Sequence, residues 1–140
     1  MAENSNRAVV LDSRATSFKE FCDLMTTFAE NQLDFHRPTY YSLSKEVYKR
    51  IMDCYSQPRM TNEETDTCAA RYRSFMSTKQ EELQKSLMAK CKGLEICTDS
   101  CKNEGDMECL NKCGGKYLKE LHGDFEQRLG RFNREINRMQ

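Results

Sequence analysis

Eight cysteines in 140 residues constrain this chain more than anything else in it, and four of them form two Cys-x-x-x-Cys pairs, Cys97/Cys101 and Cys109/Cys113. Residues four apart on a helix share a face, so each pair projects its two sulfurs in one direction. Between the pairs lies Asn103-Glu104-Gly105-Asp106, a turn signal. Folding the chain about Gly105 into antiparallel helices sets Cys101 opposite Cys109 and Cys97 opposite Cys113. Two parallel rungs result, and moving any one cysteine by a residue would spoil a rung. In the chain-entropy model each bridge alone contributes about 2.5–3.5 kcal/mol, and nested loops add less than the sum.

The same arithmetic works upstream. Cys54 and Cys68 are equidistant from Thr61, which predicts a third bridge, Cys54–Cys68, closing another helical hairpin. That fold opposes Val47 to Phe75 and Arg50 to Tyr72, so this hairpin has a single rung. Cys22 and Cys91 remain, each on the apolar stripe of a helix. They either pair with each other or stay as small buried hydrophobes, and buried free thiols are the expectation. A rival reading of Cys97, Cys101, Cys109 and Cys113 is a four-thiolate zinc site, since a three-residue gap is permitted. Zinc ligands normally come from a knuckle or loop, however, not from two regular helices. A redox enzyme would use Cys-x-x-Cys beside a strand, and neither is present.

The rest of the chain reads as helix. No apolar alternation is sustained, and Glu, Lys, Gln, Met and Leu dominate. Four helices are predicted. The first spans Ser17 to Phe35, with capping-box spacing at Ser17/Glu20 and Phe18, Phe21, Cys22, Met25, Phe28 and Ala29 on one face; His36-Arg37-Pro38 ends it. The second spans Tyr41 to Tyr55, with Leu43, Val47, Ile51 and Cys54 on its stripe, and Pro58 stops it. The third starts at the capping box Thr61/Glu64 and extends toward Lys102, with a bend at Gly93. The fourth runs from Met107 to the end. There Leu118, Phe125, Phe132 and Met139 repeat every seven residues, Leu129 and Ile136 fill in, and His122 is the polar member. Arg128, Arg131, Arg134 and Arg138 read as a solvated face; contact with an acidic partner or anionic lipid is the sharper reading.

Lys plus Arg balance Asp plus Glu at 22 each, so no net charge draws the chain to nucleic acid. No segment approaches the roughly 20 apolar residues of a membrane span, which predicts a protein peripheral to membranes. His36 and His122 lie far apart in sequence with no nucleophile motif or phosphate loop near them. His36 is placed at a helix end, and His122 reads as a structural histidine. No catalytic, cofactor-binding or metal residue is predicted, and no cofactor. Gly114-Gly115 reads as a place of close approach between the hairpin helices, or as a loosening of the helix after the second rung. Cysteine usage points to an oxidising compartment, yet the first residues show no signal-peptide run and no clear presequence character. That combination points to the mitochondrial intermembrane space. A reduced cytosolic protein and a mature chain whose signal was removed are the bland alternatives.

The segment Cys109-Leu-Asn-Lys-Cys113-Gly-Gly-Lys116-Tyr117-Leu118 resembles the second half of the small Tim proteins of that compartment, and Cys97-Thr-Asp-Ser-Cys101 looks like their first motif. The resemblance covers about Lys79 to Gln140. It implies a hairpin held by the two rungs already placed, oxidation in the intermembrane space, and assembly into a six-chain ring that escorts hydrophobic membrane-protein precursors. This chain departs from the pattern in its shorter loop between Cys101 and Cys109 and in its long upstream half.

The expected architecture is therefore all-α: residues 1–16 a flexible tail, 17–78 an N-terminal pair of helices, and 79–140 a disulfide-stapled antiparallel hairpin. The expected function is that of a non-catalytic structural or accessory subunit of a mitochondrial inner-membrane assembly, a respiratory-chain complex or a translocase. The alternative is a soluble chaperone of the intermembrane space. Expected partners are other small-Tim-like or helical subunits in a hetero-oligomer. Phe18, Phe21, Met25, Phe28, Leu118, Phe125, Leu129, Phe132 and Ile136 are the expected partner-binding residues, because an uncovered apolar stripe needs a cover.

Overall fold

A computed structural model describes residues 15–139, and those residues form three α-helices with no strand. They are α1 (Phe18–Tyr55), α2 (Asn62–Asp99) and α3 (Met107–Arg138). The all-helical class and the stapled hairpin of α2 and α3 are as expected from the cysteine spacing. Helix α2 runs antiparallel to both its neighbours, so α1 and α3 lie parallel. Every pair of helices packs together.

The expected four helices become three because Pro38 does not end the first. It sits inside α1, which continues to Tyr55. A proline in a helix interior gives up one backbone hydrogen bond at a cost of about 3 kcal/mol. Packing along the whole of α1 outweighs that loss. Phe21 meets Leu110 near the start of α3. Phe28 meets Leu118, Leu121 and Phe125 along its middle. Leu43, Val47 and Ile51 meet Leu129, Phe132 and Ile136 at its end. Phe21, Gln32, Leu43 and Cys54 are all buried at eleven-residue steps. Eleven residues make three turns at about 3.67 per turn, so the stripe stays nearly in line over the full helix.

The caps follow the sequence with one difference. Thr61 and Glu64 make both halves of a capping box. The Ser17 hydroxyl accepts from the Glu20 N–H at 3.2 Å, but the Glu20 carboxylate turns to the Thr16 hydroxyl at 2.9 Å. That cap is closed on one side. Helix α2 runs through Gly93 and ends at Asp99, short of Lys102.

Of the expected tail, residues 1–14 lie outside the described residues. Ala15 is buried, and both its backbone groups bond the Asn111 amide at 3.0 Å. The division drawn between residues 78 and 79 falls inside α2. One core cluster draws on Ala69, Tyr72 and Met76 from upstream of it and on Leu129, Phe132 and Ile136 from downstream.

Two contacts join α1 to α3 at opposite ends. A Cβ at Gly114 would lie 2.9–3.0 Å from Met25 and Phe21 atoms. The glycine permits close approach, but to α1 and not to the other hairpin helix, and Gly115 faces open space. At the far end the Arg50 guanidinium donates to the carbonyls of Ile136 and Met139. A cation there is favoured by the negative end of the helix dipole and adds a donor to carbonyls of the last turn.

Candidate functional site

The cysteine ladder is built by α2, α3 and the turn between them. Asn103 accepts the Gly105 N–H at 2.7 Å, and Asp106 caps α3 by accepting from the Cys109 N–H at 3.4 Å. The chain thus reverses about Gly105. Cys97 is bonded to Cys113 and Cys101 to Cys109, with Cα–Cα distances of 5.7 and 5.8 Å. Cys54 is bonded to Cys68 at 5.8 Å, closing the α1–α2 hairpin. The sulfurs of Cys101, Cys109 and Cys113 lie within 4.8 Å of one another. That crowding follows from adjacent rungs, and a sulfur held in a bridge carries no thiolate to ligate a cation.

The remaining cysteines differ from expectation. Cys22 and Cys91 are free and both are exposed, not buried. Cys22 follows Phe21 by one residue, about 100° round the helix, which turns it off the face that packs. The Cys91 sulfur lies 3.7 Å from the Tyr117 hydroxyl. Burial, reinforced by that thiol, raises the Tyr117 phenol above its ordinary value.

The expected partner-binding residues do not form an open surface. Phe21, Phe28, Leu118, Phe125, Leu129, Phe132 and Ile136 are buried in the chain's own core. Met25 packs against it, and Phe18 alone of the set is exposed, at 39 %. The physical reason is the unbroken α1, whose stripe is long enough to cover that of α3.

A cluster that sequence reasoning missed lies midway along the bundle. His36 is not at a helix end. It is buried in α1, and its ring centroid lies 5.3 Å from that of His122. Phe35 and Phe125 pack edge-on against the His36 ring. The Gln32 side-chain amide meets His122 Nδ1 at 2.9 Å, and the Glu126 carboxylate meets Nε2 at 3.2 Å. Both partners present an oxygen, Gln32 Oε1 to Nδ1 and Glu126 Oε1 to Nε2, so each ring nitrogen faces a hydrogen-bond acceptor. Nearby, the Ser86 hydroxyl donates to Asp124, which also holds Arg128 at 3.0 Å. Lys79, buried, pairs with Glu135 and Glu82. The signal for the histidines was present in the spacing, since Gln32 and His36 are one turn apart and continue the Phe21, Met25, Phe28 stripe.

Beside this cluster α1 and α2 part. A groove of about 380 Å³ opens between Leu33, Tyr40 and Tyr41 on one wall and Leu83 and Leu87 on the other. Phe125 and Leu129 form its floor, and His36 reaches into it. Its lining suits an apolar side chain or segment. Arg131, Arg134 and Arg138 are exposed on α3. Among the described residues no helix is long and apolar enough to cross a membrane.

No family model, curated protein or solved structure matches this chain.

Proposed function

We propose that this chain is a non-catalytic, small-Tim-type structural or accessory subunit of a mitochondrial inner-membrane assembly, a respiratory-chain complex or a translocase, on its intermembrane-space side. One observation carries the choice between the two readings that the cysteine motifs allow. A client-holding chaperone needs an open, sequence-tolerant apolar face, and the aromatic stripe that would provide it, Phe21 to Phe28, is buried against α3. A chain that covers its own stripes is better suited to a fixed place among helical partners in a hetero-oligomer. Three cross-links in so small a bundle also suit an oxidising compartment.

The chaperone reading keeps one observation in its favour, the open groove between Leu33 and Leu87. Gentle solubilisation of mitochondrial membranes followed by native electrophoresis separates the two. Co-migration with a large membrane complex is the expected result. A soluble ring near the mass of six chains that keeps an apolar precursor in solution would overturn the subunit reading.

A further inference from the structure

The outward face of α1 carries a second apolar row that the core does not use. Tyr41, Tyr48, Met52 and Tyr55 are 60 %, 55 %, 64 % and 51 % exposed. Their spacing is that of a coiled-coil seam, with Tyr41, Tyr48 and Tyr55 at successive d positions and Lys45 and Met52 at the a positions between them. Lys49 falls at an e position beside it. Lys45 and Lys49 are exposed, and neither forms an ion pair among the described residues. The two carboxylates of α1 between Tyr41 and Tyr55 lie off the seam: Glu46 and Asp53 are each about 100° round from Lys45 and Met52, and Glu46 is paired with Arg50 at 3.2 Å. The face is therefore basic on a chain whose overall charge is zero. Tyr41 also lines the groove, so the seam runs on into Leu33, Leu83 and Leu87.

We infer that this face is the docking seam for an acidic amphipathic α-helix of a different chain. The inference takes its class of partner from the subunit reading above and adds the surface and its charge. The seam spans an arc of only about 60°, whereas a helix lying on a bilayer presents an apolar face of 100° or more. A narrow row of tyrosines and a methionine matches the composition of protein interfaces. Lysine at an a position fixes register by demanding a carboxylate opposite. A second copy cannot meet that demand. Parallel self-pairing sets Lys45 against Lys45, and antiparallel self-pairing sets the Lys49 flank against itself.

The test uses the full oxidised chain and two synthetic helices of about three heptads. Both carry the same leucine seam; one has glutamates at its flanking positions and the other lysines. The glutamate helix is expected to bind, and the lysine helix to bind at least about tenfold more weakly. Lys45→Glu/Lys49→Glu reverses that order. Tyr48→Glu/Met52→Glu abolishes both, while its melting temperature stays within a few degrees of the parent because the sites are exposed. Equal binding of the two helices, or a preference that charge reversal does not move, overturns the inference. Dimerisation that Tyr48→Glu/Met52→Glu removes also overturns it, by making a second copy the occupant. So does binding to phosphatidylserine vesicles that the same variant removes. If that variant still migrates with a large membrane complex, the seam is wrong and the subunit reading stands. If the helix preference holds but the parent chain joins no large complex, the seam stands and the subunit reading fails.

Discussion

The two ends of the bundle are held by covalent bonds, and its middle is not. At one end the ladder ties α2 to α3, and Ala15 is fixed to Asn111. At the other, Cys54–Cys68 ties α1 to α2, and Arg50 ties α1 to the last carbonyls of α3. Between Cys68 and Cys97 helix α2 is held by side chains alone. That stretch contains Lys79, Ser86 and one wall of the groove. Cross-links at both ends set the register of the helices, so the middle can carry polar side chains and an opening without losing alignment. Polar groups inside a bundle add little to stability but are exacting about position.

Substitutions sharpen this contrast. Phe28→Ala strikes the unstapled middle, where Phe28 is fully buried among Leu118, Leu121 and Phe125. It is expected to cost about 3–5 kcal/mol in urea denaturation. A cost under about 1 kcal/mol would mean that the bridges, not packing, hold α1 on α3. Replacing Cys97, Cys101, Cys109 and Cys113 together by alanine strikes the ladder. The chain-entropy model gives about 3–4 kcal/mol for the nested pair, and hydrogen exchange is expected to rise first around Gly105. Gly114→Val fills the close contact with Phe21 and Met25 and is expected to cost about 1–3 kcal/mol by overpacking.

Tyr117 gives a pH-dependent prediction. Its phenol is raised above 10.0 by burial first and by the Cys91 thiol second. The folded state therefore prefers the neutral phenol. The stability this contributes is whole below pH 10 and is lost as pH rises from there through the folded value. Tyr117→Phe is expected to flatten the alkaline limb of the stability profile by about 1 kcal/mol at pH 11. An unchanged limb would separate Tyr117 from the effect. The smallest change is Gly123→Ala. Gly123 lies mid-helix on an exposed face with nothing within 4 Å of its added Cβ. It should stabilise by about 0.5–1 kcal/mol through helix propensity, in contrast to Gly114.

The covalent frame was legible in the sequence because it obeys simple counting. Positions summing to 210 face each other across Gly105, and the rule extends well past the cysteines. Ser86 bonds Asp124, and Lys90 pairs with Glu120 at 3.9 Å. The Thr61/Glu64 cap and the stop at Pro58 were equally readable, because both are local. The path of α1 was not. Proline is a local signal for a break, but the apolar stripe of α3 is a long-range template that rewards continuity. Gln32 and His36 hid the continuation because they are polar residues in core positions. Cys22 was misplaced by one residue of helical phase. Most of the expected partner-binding set is buried within the chain for the same reason that α1 runs through Pro38. With α1 continuous, Phe21 packs on Leu110 and Phe28 on Leu118, Leu121 and Phe125, and the exposed row is Tyr41, Tyr48, Met52 and Tyr55.

The cross-link pattern supports both the register and the proposed compartment, and peptide mapping without reductant tests it directly. Alkylation of the native oxidised chain should mark Cys22 and Cys91 alone. Cleavage before Asp99 and after Lys112 then separates the cysteines within each motif. The expected linked peptides join Cys97 to Cys113, Cys101 to Cys109, and Cys54 to Cys68. Alkylation of all eight cysteines, or a Cys97–Cys101 link, would contradict the ladder.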